Sequence, residues 1–156
     1  MIRMEMQDGG VVKIELDPKA APITAANFEK LVKEGFYDGL TFHRIIPGFM
    51  VQGGDPLGTG MGGSSETIRG EFAANGVNNP ISHKRGVISM ARSSYPNSAS
   101  SQFFIMHDDG EFLDGNYAAF GRVVDGMDVI DRIAATPTGA NDRPKTPVVI
   151  ARMTVE

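Results

Sequence analysis

The sequence predicts a mainly β fold: a closed barrel with a helix over each end. Three observations carry this. The chain opens on two stretches of period two, only two later segments space their apolar residues three to four apart, and the rest is short aromatic or branched runs separated by Gly, Pro, Asn and Ser. Closure is expected because it removes unpaired strand edges. At 156 residues, 41% of them hydrophobic, the chain suits a single domain, read as residues 1–156, with one core.

Ile2, Met4 and Met6 alternate with Arg3, Glu5 and Gln7; after Asp8-Gly9-Gly10, Val12, Ile14 and Leu16 alternate with Lys13 and Glu15. This predicts an antiparallel hairpin with one buried face. From Pro22 to Glu34 the period changes: Phe28, Leu31 and Val32 form an apolar stripe, Glu29, Lys30, Lys33 and Glu34 read as a solvated face, and Gly35 follows as a C-cap. Extended pieces follow at Thr41 to Ile46, Phe49 to Gln52, Gly86 to Met90, Gln102 to Met106 and Ala119 to Val123. A second helix starts near Gly126, with Val129, Ile130 and Ile133 on its apolar face, and Pro137 and Gly139 stop it. Val148 to Val155 supplies the last strand. The loops Gly53 to Asn79 and Ala91 to Ser101 are long enough to line a functional face.

Lys and Arg total 15 against 19 acidic residues, a formal charge of -4, so no overall positive field gathers nucleic-acid backbones. There is no cysteine, which excludes disulfides, thiolate metal sites and cysteine nucleophiles. Arg3, Glu5 and Asp8 interrupt the place a signal peptide would need apolar, and no run of about 18 apolar residues occurs, so a cytoplasmic protein without a membrane span is expected. His43, His83 and His107 do not have zinc-motif spacing, and the glycines from Gly53 to Gly63 lack the Gly-Lys-Ser/Thr of a phosphate loop. No cofactor or metal is expected.

The segment Phe42-His43-Arg44-Ile45-Ile46-Pro47-Gly48-Phe49-Met50-Val51-Gln52-Gly53-Gly54-Asp55 closely resembles the central signature of cyclophilins. Further matches follow in order at Gly86-Val87-Ile88-Ser89-Met90-Ala91, Ser100-Ser101-Gln102-Phe103-Phe104-Ile105, Phe112-Leu113-Asp114-Gly115 and Phe120-Gly121-Arg122-Val123. The resemblance spans essentially the whole chain. It implies a cyclophilin-like closed eight-stranded antiparallel β-barrel capped by two α-helices, with a filled interior and a substrate groove on the outer wall. The implied activity is peptidyl-prolyl cis/trans isomerisation of proline-containing peptides and unfolded or partly folded proteins, by a protein expected to be a monomer.

By position, the resemblance assigns catalysis to Arg44, groove roles to Phe49, Met50, Gln52 and Gln102, and a main-chain substrate contact to Ala91. Phe104, Phe112 and Leu113 fall around the proline ring, and Tyr117 stands in the groove where many members carry histidine. Phe42, Phe103 and Phe120 read as core instead, and Met50 alone could equally be core filler. Many members have tryptophan at the position of Phe112, and this chain has none. Without the indole N–H, binding of the cyclic peptide cyclosporin is expected to be weak. Two other readings predict different structures: a peptide-binding module without productive arginine geometry, and a barrel holding an apolar ligand in a hollow interior.

These residue types suit bond rotation. Amide resonance sets a barrier of about 18–20 kcal/mol, and at the twisted midpoint the prolyl nitrogen regains its lone pair. A guanidinium N–H aimed at that nitrogen binds the transition state better than either planar form. An arginine remains charged and presents a rigid fork of donors.

Overall fold

The computed structural model describes residues 1–156. Strands β1 (Ile2–Met6) and β2 (Val11–Leu16) pair antiparallel, with Ile2 opposite Ile14 and Met4 opposite Val12. Period two then sends Ile2, Met4, Met6, Val12 and Ile14 inward, where all are buried.

Helix α1 spans Pro22–Lys33 and buries Ala25, Phe28, Leu31 and Val32. Its N-cap is Ala21, which has no side-chain oxygen. Glu71 takes over that task from a distant loop: its buried carboxylate accepts from the Thr24 N–H at 2.6 Å and the Thr24 hydroxyl at 2.7 Å. A negative charge there also complements the helix dipole. At the other end Gly35 adopts φ +72°, and the Gly35 and Phe36 N–H groups bond back to the Val32 and Leu31 carbonyls. This is the Schellman arrangement the glycine predicts.

Strands β3 (Phe42–Ile46), β4 (Met50–Gly53), β5 (Val87–Met90), β6 (Phe103–Met106) and β7 (Ala119–Asp125) follow, then α2 (Met127–Ala134) and β8 (Ile150–Val155). Short 3₁₀ turns occupy Ala73–Asn75, Glu111–Leu113 and Ala140–Asp142. The eight strands form one antiparallel sheet in the order β3-β4-β6-β5-β7-β2-β1-β8.

The sheet does not close, and the expectation of a closed barrel is corrected to an open, curled half-barrel whose margins, β3 and β8, stand 8 Å apart. One isolated bridge, Thr41 to Val149, joins them, flanked by the bonds Phe42 N–H to Val148 O and Ile150 N–H to Leu40 O. Continuing that antiparallel register would place Pro147 opposite His43 and Pro144 opposite Ile46. Proline has no N–H to give a ladder, so pairing stops where it has barely begun. The β8 margin is partly protected, because the Asp38 carboxylate accepts from the Met153 N–H at 2.9 Å.

The inside of the curl is filled. Phe28 lies 5.1 Å from Tyr37, 5.5 Å from Phe103 and 5.0 Å from Phe120 between ring centroids. Phe42 packs against Phe103, and the buried Tyr37 hydroxyl donates to the Ser101 carbonyl at 2.8 Å. These rings leave no room for a ligand-holding interior. Alternation along β4 and β6 assigns Val51, Phe103 and Ile105 to this core, while Met50, Phe104 and Met106 join Leu113 in a second, outward cluster.

Candidate active site

The outward cluster is the floor of the site, and β3 supplies its polar edge. At a register irregularity between Phe42 and Arg44, Phe42 stays in the core and His43 is buried beside Asp55 and Gly60, after which Arg44 points to solvent and Ile45 returns to the core. Such a bulge re-aims a side chain that strict alternation would not have delivered. Arg44 pairs with Gln52 on β4, Gln52 with Phe104 on β6, and Phe104 with Ser89 on β5. The row therefore crosses four adjacent strands.

Between β3 and β4 the chain reverses over Ile46, Pro47, Gly48 and Phe49. The Phe49 N–H bonds to Ile46 O at 3.0 Å, and Gly48 holds φ +77°. That is a type II turn, with proline presetting its first corner and glycine tolerating its second. It brings Phe49 onto the outer face beside Met50.

Arg44, Phe49, Met50, Gln52, Ala91, Phe104, Leu113 and Tyr117 line one hollow of about 150 Å³, together with Arg92. That is smaller than the roughly 300–1,000 Å³ of small-molecule pockets and suits a single side-chain ring. Two of the residues nominated from the sequence fall elsewhere. Phe112 is 73% exposed and covers Phe49 from outside, with ring centroids 5.5 Å apart. Gln102 lines the adjoining hollow of about 390 Å³, together with Gly60, Met61 and Gly62. Ala91 reaches the site, but its N–H already donates to the Gln102 carbonyl at 3.0 Å, leaving its own carbonyl to pair with a peptide.

A chain of amides orients the arginine. The Gln102 Nε2 donates to the carbonyls of Gly60 (3.0 Å) and Gly62 (2.8 Å), so its Oε1 must accept, and it does so from Gln52 Nε2 at 3.0 Å. Gln52 Oε1 is thereby turned toward Arg44, whose Nη1 lies 3.5 Å away. The carbonyl pair is itself fixed by Asp55, a buried carboxylate that accepts from the N–H groups of Leu57, Thr59 and Gly60. Burial pushes the Asp55 carboxyl up, but these backbone donors outweigh it and hold the group below the usual carboxylate range.

Phe104 is backed by a network that sequence reasoning missed. His83, fully buried, lies nearly parallel to the Phe104 ring at 6.0 Å. Its Nδ1 sits 2.7 Å from Asp114 Oδ1, and its Nε2 sits 2.9 Å from Ser89 Oγ. Burial lowers the His83 pKa more than Asp114 raises it, so the ring is neutral at neutral pH. Facing a carboxylate, Nδ1 keeps the proton and Nε2 accepts from the serine. Arg92 was also missed. Its guanidinium lies 4.7 Å from the Phe72 centroid and 4.9 Å from that of Tyr117, and it donates to the Asn116 carbonyl. Only its place directly after Ala91 could have marked it.

The arrangement sets two permanently charged guanidiniums, Arg44 beside Gln52 and Arg92 beside Tyr117, around a small and mostly apolar seat. No helix is long and apolar enough to cross a membrane.

The chain matches the family described as cyclophilin type peptidyl-prolyl cis-trans isomerase/CLD over residues 1–155. It is similar to peptidyl-prolyl cis-trans isomerase B of Bacillus subtilis, 50% identical over 123 residues, covering 79% of this chain and 82% of that protein. A peptidyl-prolyl cis-trans isomerase of Schizosaccharomyces pombe is 44% identical over 154 residues, 97% of either chain. A Cryptosporidium parvum cyclophilin type peptidyl-prolyl cis-trans isomerase, crystallised in the presence of the dipeptide Ala-Pro, superposes with a TM-score of 0.91 at 32% identity, over 99% of this chain and 98% of that one.

Proposed function

Because the chain belongs to the cyclophilin-type peptidyl-prolyl cis-trans isomerases, and so catalyses rotation about X-Pro bonds and assists protein folding, we propose that Arg44 is its catalytic group and the apolar hollow its proline seat. The observation that carries this is the position of the Arg44 guanidinium at the rim of a hollow walled by Phe49, Met50, Phe104 and Leu113. A pyrrolidine ring held there is kept from water, which favours binding and strengthens the field of the adjacent cation. The flanking peptide then turns about the fixed ring. Its prolyl nitrogen pyramidalises and accepts from Arg44, while Gln52 keeps the fork from swinging away. No covalent bond breaks, so the step needs no nucleophile. A barrier lowered by about 7 kcal/mol gives roughly 10⁵ in rate, within reach of positioning plus one charged hydrogen bond.

Amide shifts on titrating a short Ala-Pro peptide test the assignment. Arg44, Gln52, Ala91, Phe104 and Leu113 are expected to move together, while the hollow around Met6, Arg132 and Val148 on another face stays silent. Shifts confined to that second hollow would refute the proposed seat.

The reading includes a monomer at work in the cytoplasm, a reducing compartment that a chain without cysteine fits. It also includes weak cyclosporin binding, because Phe112 offers a ring edge but no donor. Phe112→Trp is expected to tighten that binding about fivefold, the worth of one added hydrogen bond. Isothermal titration of both proteins gives the ratio; equal affinities would remove the missing donor as the cause.

A further inference from the structure

From the contacts around the turn that carries Phe49, we infer that His107 is a positioning residue for the groove: its ring pins Gly48 and so fixes Phe49 against the proline seat. The inference rests on the reading of Phe49 as a groove wall.

Gly48 is the second corner of the type II turn, a position whose N–H has no partner within the turn. Here that N–H donates to His107 Nδ1 at 2.8 Å. An amide can only donate, so Nδ1 must be the unprotonated nitrogen and Nε2 carries the hydrogen. Nε2 lies 3.2 Å from Asp131 Oδ1 on α2, a carboxylate able to accept it. Asp131 is gripped in turn by Arg85, whose two terminal nitrogens reach its two oxygens at 2.8 Å each. Arg85 Nη1 also donates to the His107 carbonyl at 2.7 Å. The charged groups facing the ring are therefore Asp131 from α2 and Arg85 from the segment before β5. The main chain completes the clamp: the His107 N–H donates to the Phe49 carbonyl at 2.9 Å.

Both residues flanking the amide plane of the turn are thus tied to His107, one through its backbone and one through its ring. The backbone bond alone leaves the Pro47-Gly48 peptide free to rotate. The ring bond removes that freedom, and Phe49 then meets Phe112 and the seat in one orientation. Arg44 lies beyond the turn and is oriented separately, through Gln52. Loss of the ring contact therefore weakens substrate binding and leaves the rotation step itself intact.

Two polar replacements separate the ring's two ends. In His107→Asn the new side-chain oxygen occupies the place of Nδ1 and can still accept from Gly48; His107→Gln reaches toward Asp131 and leaves Gly48 unpaired. Steady-state kinetics on a short X-Pro peptide, with folding checked by circular dichroism, are expected to give H107N a KM within about twofold of wild type. H107Q and H107L are expected to raise KM about fivefold to tenfold, the equivalent of one lost hydrogen bond, with kcat within about twofold. The Gly48 amide proton resonance should move upfield in H107Q and hold its place in H107N. Phe49→Ala is the control for the groove. Raised KM in F49A with unchanged KM in H107Q overturns the inference and leaves the groove standing. Unchanged KM in F49A overturns the groove reading itself. Equal KM increases in H107N and H107Q would assign the effect to Asp131 and also overturn the inference.

Discussion

Arg44→Ala is expected to lower kcat/KM for a prolyl peptide by about 10²- to 10³-fold, the loss of one preorganised donor worth about 2.7–4 kcal/mol in the transition state. The fold should not notice. Arg44 is exposed, and its single side-chain hydrogen bond is a long one to Gln52, so the unfolding midpoint is expected to stay where it is. A protease-free isomerisation assay alongside thermal unfolding separates the two effects. Arg44→Lys should recover little, since an ammonium on a flexible stem lacks the fork that Gln52 steadies. Full activity in R44A would end the donor role while leaving the proline seat untouched.

Phe28→Ala has the opposite signature. Its ring is fully buried at the meeting point of Tyr37, Phe103 and Phe120, where removal leaves a cavity that three aromatic neighbours cannot refill without leaving their own packing. The expected cost is about 3–5 kcal/mol, a large share of the roughly 5–15 kcal/mol that holds a domain together. Urea unfolding should show the midpoint fall with little change in slope, and the melting temperature should drop by roughly 6 to 20 °C. At temperatures where the variant is still folded, kcat should remain near wild type, because Phe28 belongs to the inward cluster and the seat to the outward one. A loss below about 1 kcal/mol would mean that the core is far more plastic than its ring contacts indicate.

What the sequence made legible is what neighbours along the chain decide. The hairpin follows from alternation around Asp8-Gly9-Gly10, and α1 follows from Phe28, Leu31, Val32 and the left-handed Gly35. Arg44, Phe49, Gln52, Phe104 and Leu113 lie in matched blocks, and three strands, the β3–β4 turn and a 3₁₀ turn gather them on one hollow. Strand ends shifted by one or two residues, as at Val148, which precedes the ladder that begins at Ile150. The missing closure was not legible, because Pro144 and Pro147 become obstacles only once Thr41 is known to face Val149. Glu71 capping Thr24, and His83 between Asp114 and Ser89, depend on contacts between segments whose separation hides them from any local pattern. The same holds for Gln102. Its family position suggests a groove residue, but the bonds of its amide to Gly60, Gly62 and Gln52 could not be read from that position.

The gap between β3 and β8 gives the guanidinium an unusual mounting. β3 is laced to a neighbour along one side only, and its other side is basted to the C-terminal strand by a few stitches near Thr41. Small excursions of such a hem need not disturb the aromatic filling behind it. In the proposed site, such give in β3 would carry Arg44 and its β4 partner Gln52 as one piece, as a hem moves with its thread, so the fork keeps its aim while the wall behind it stays still.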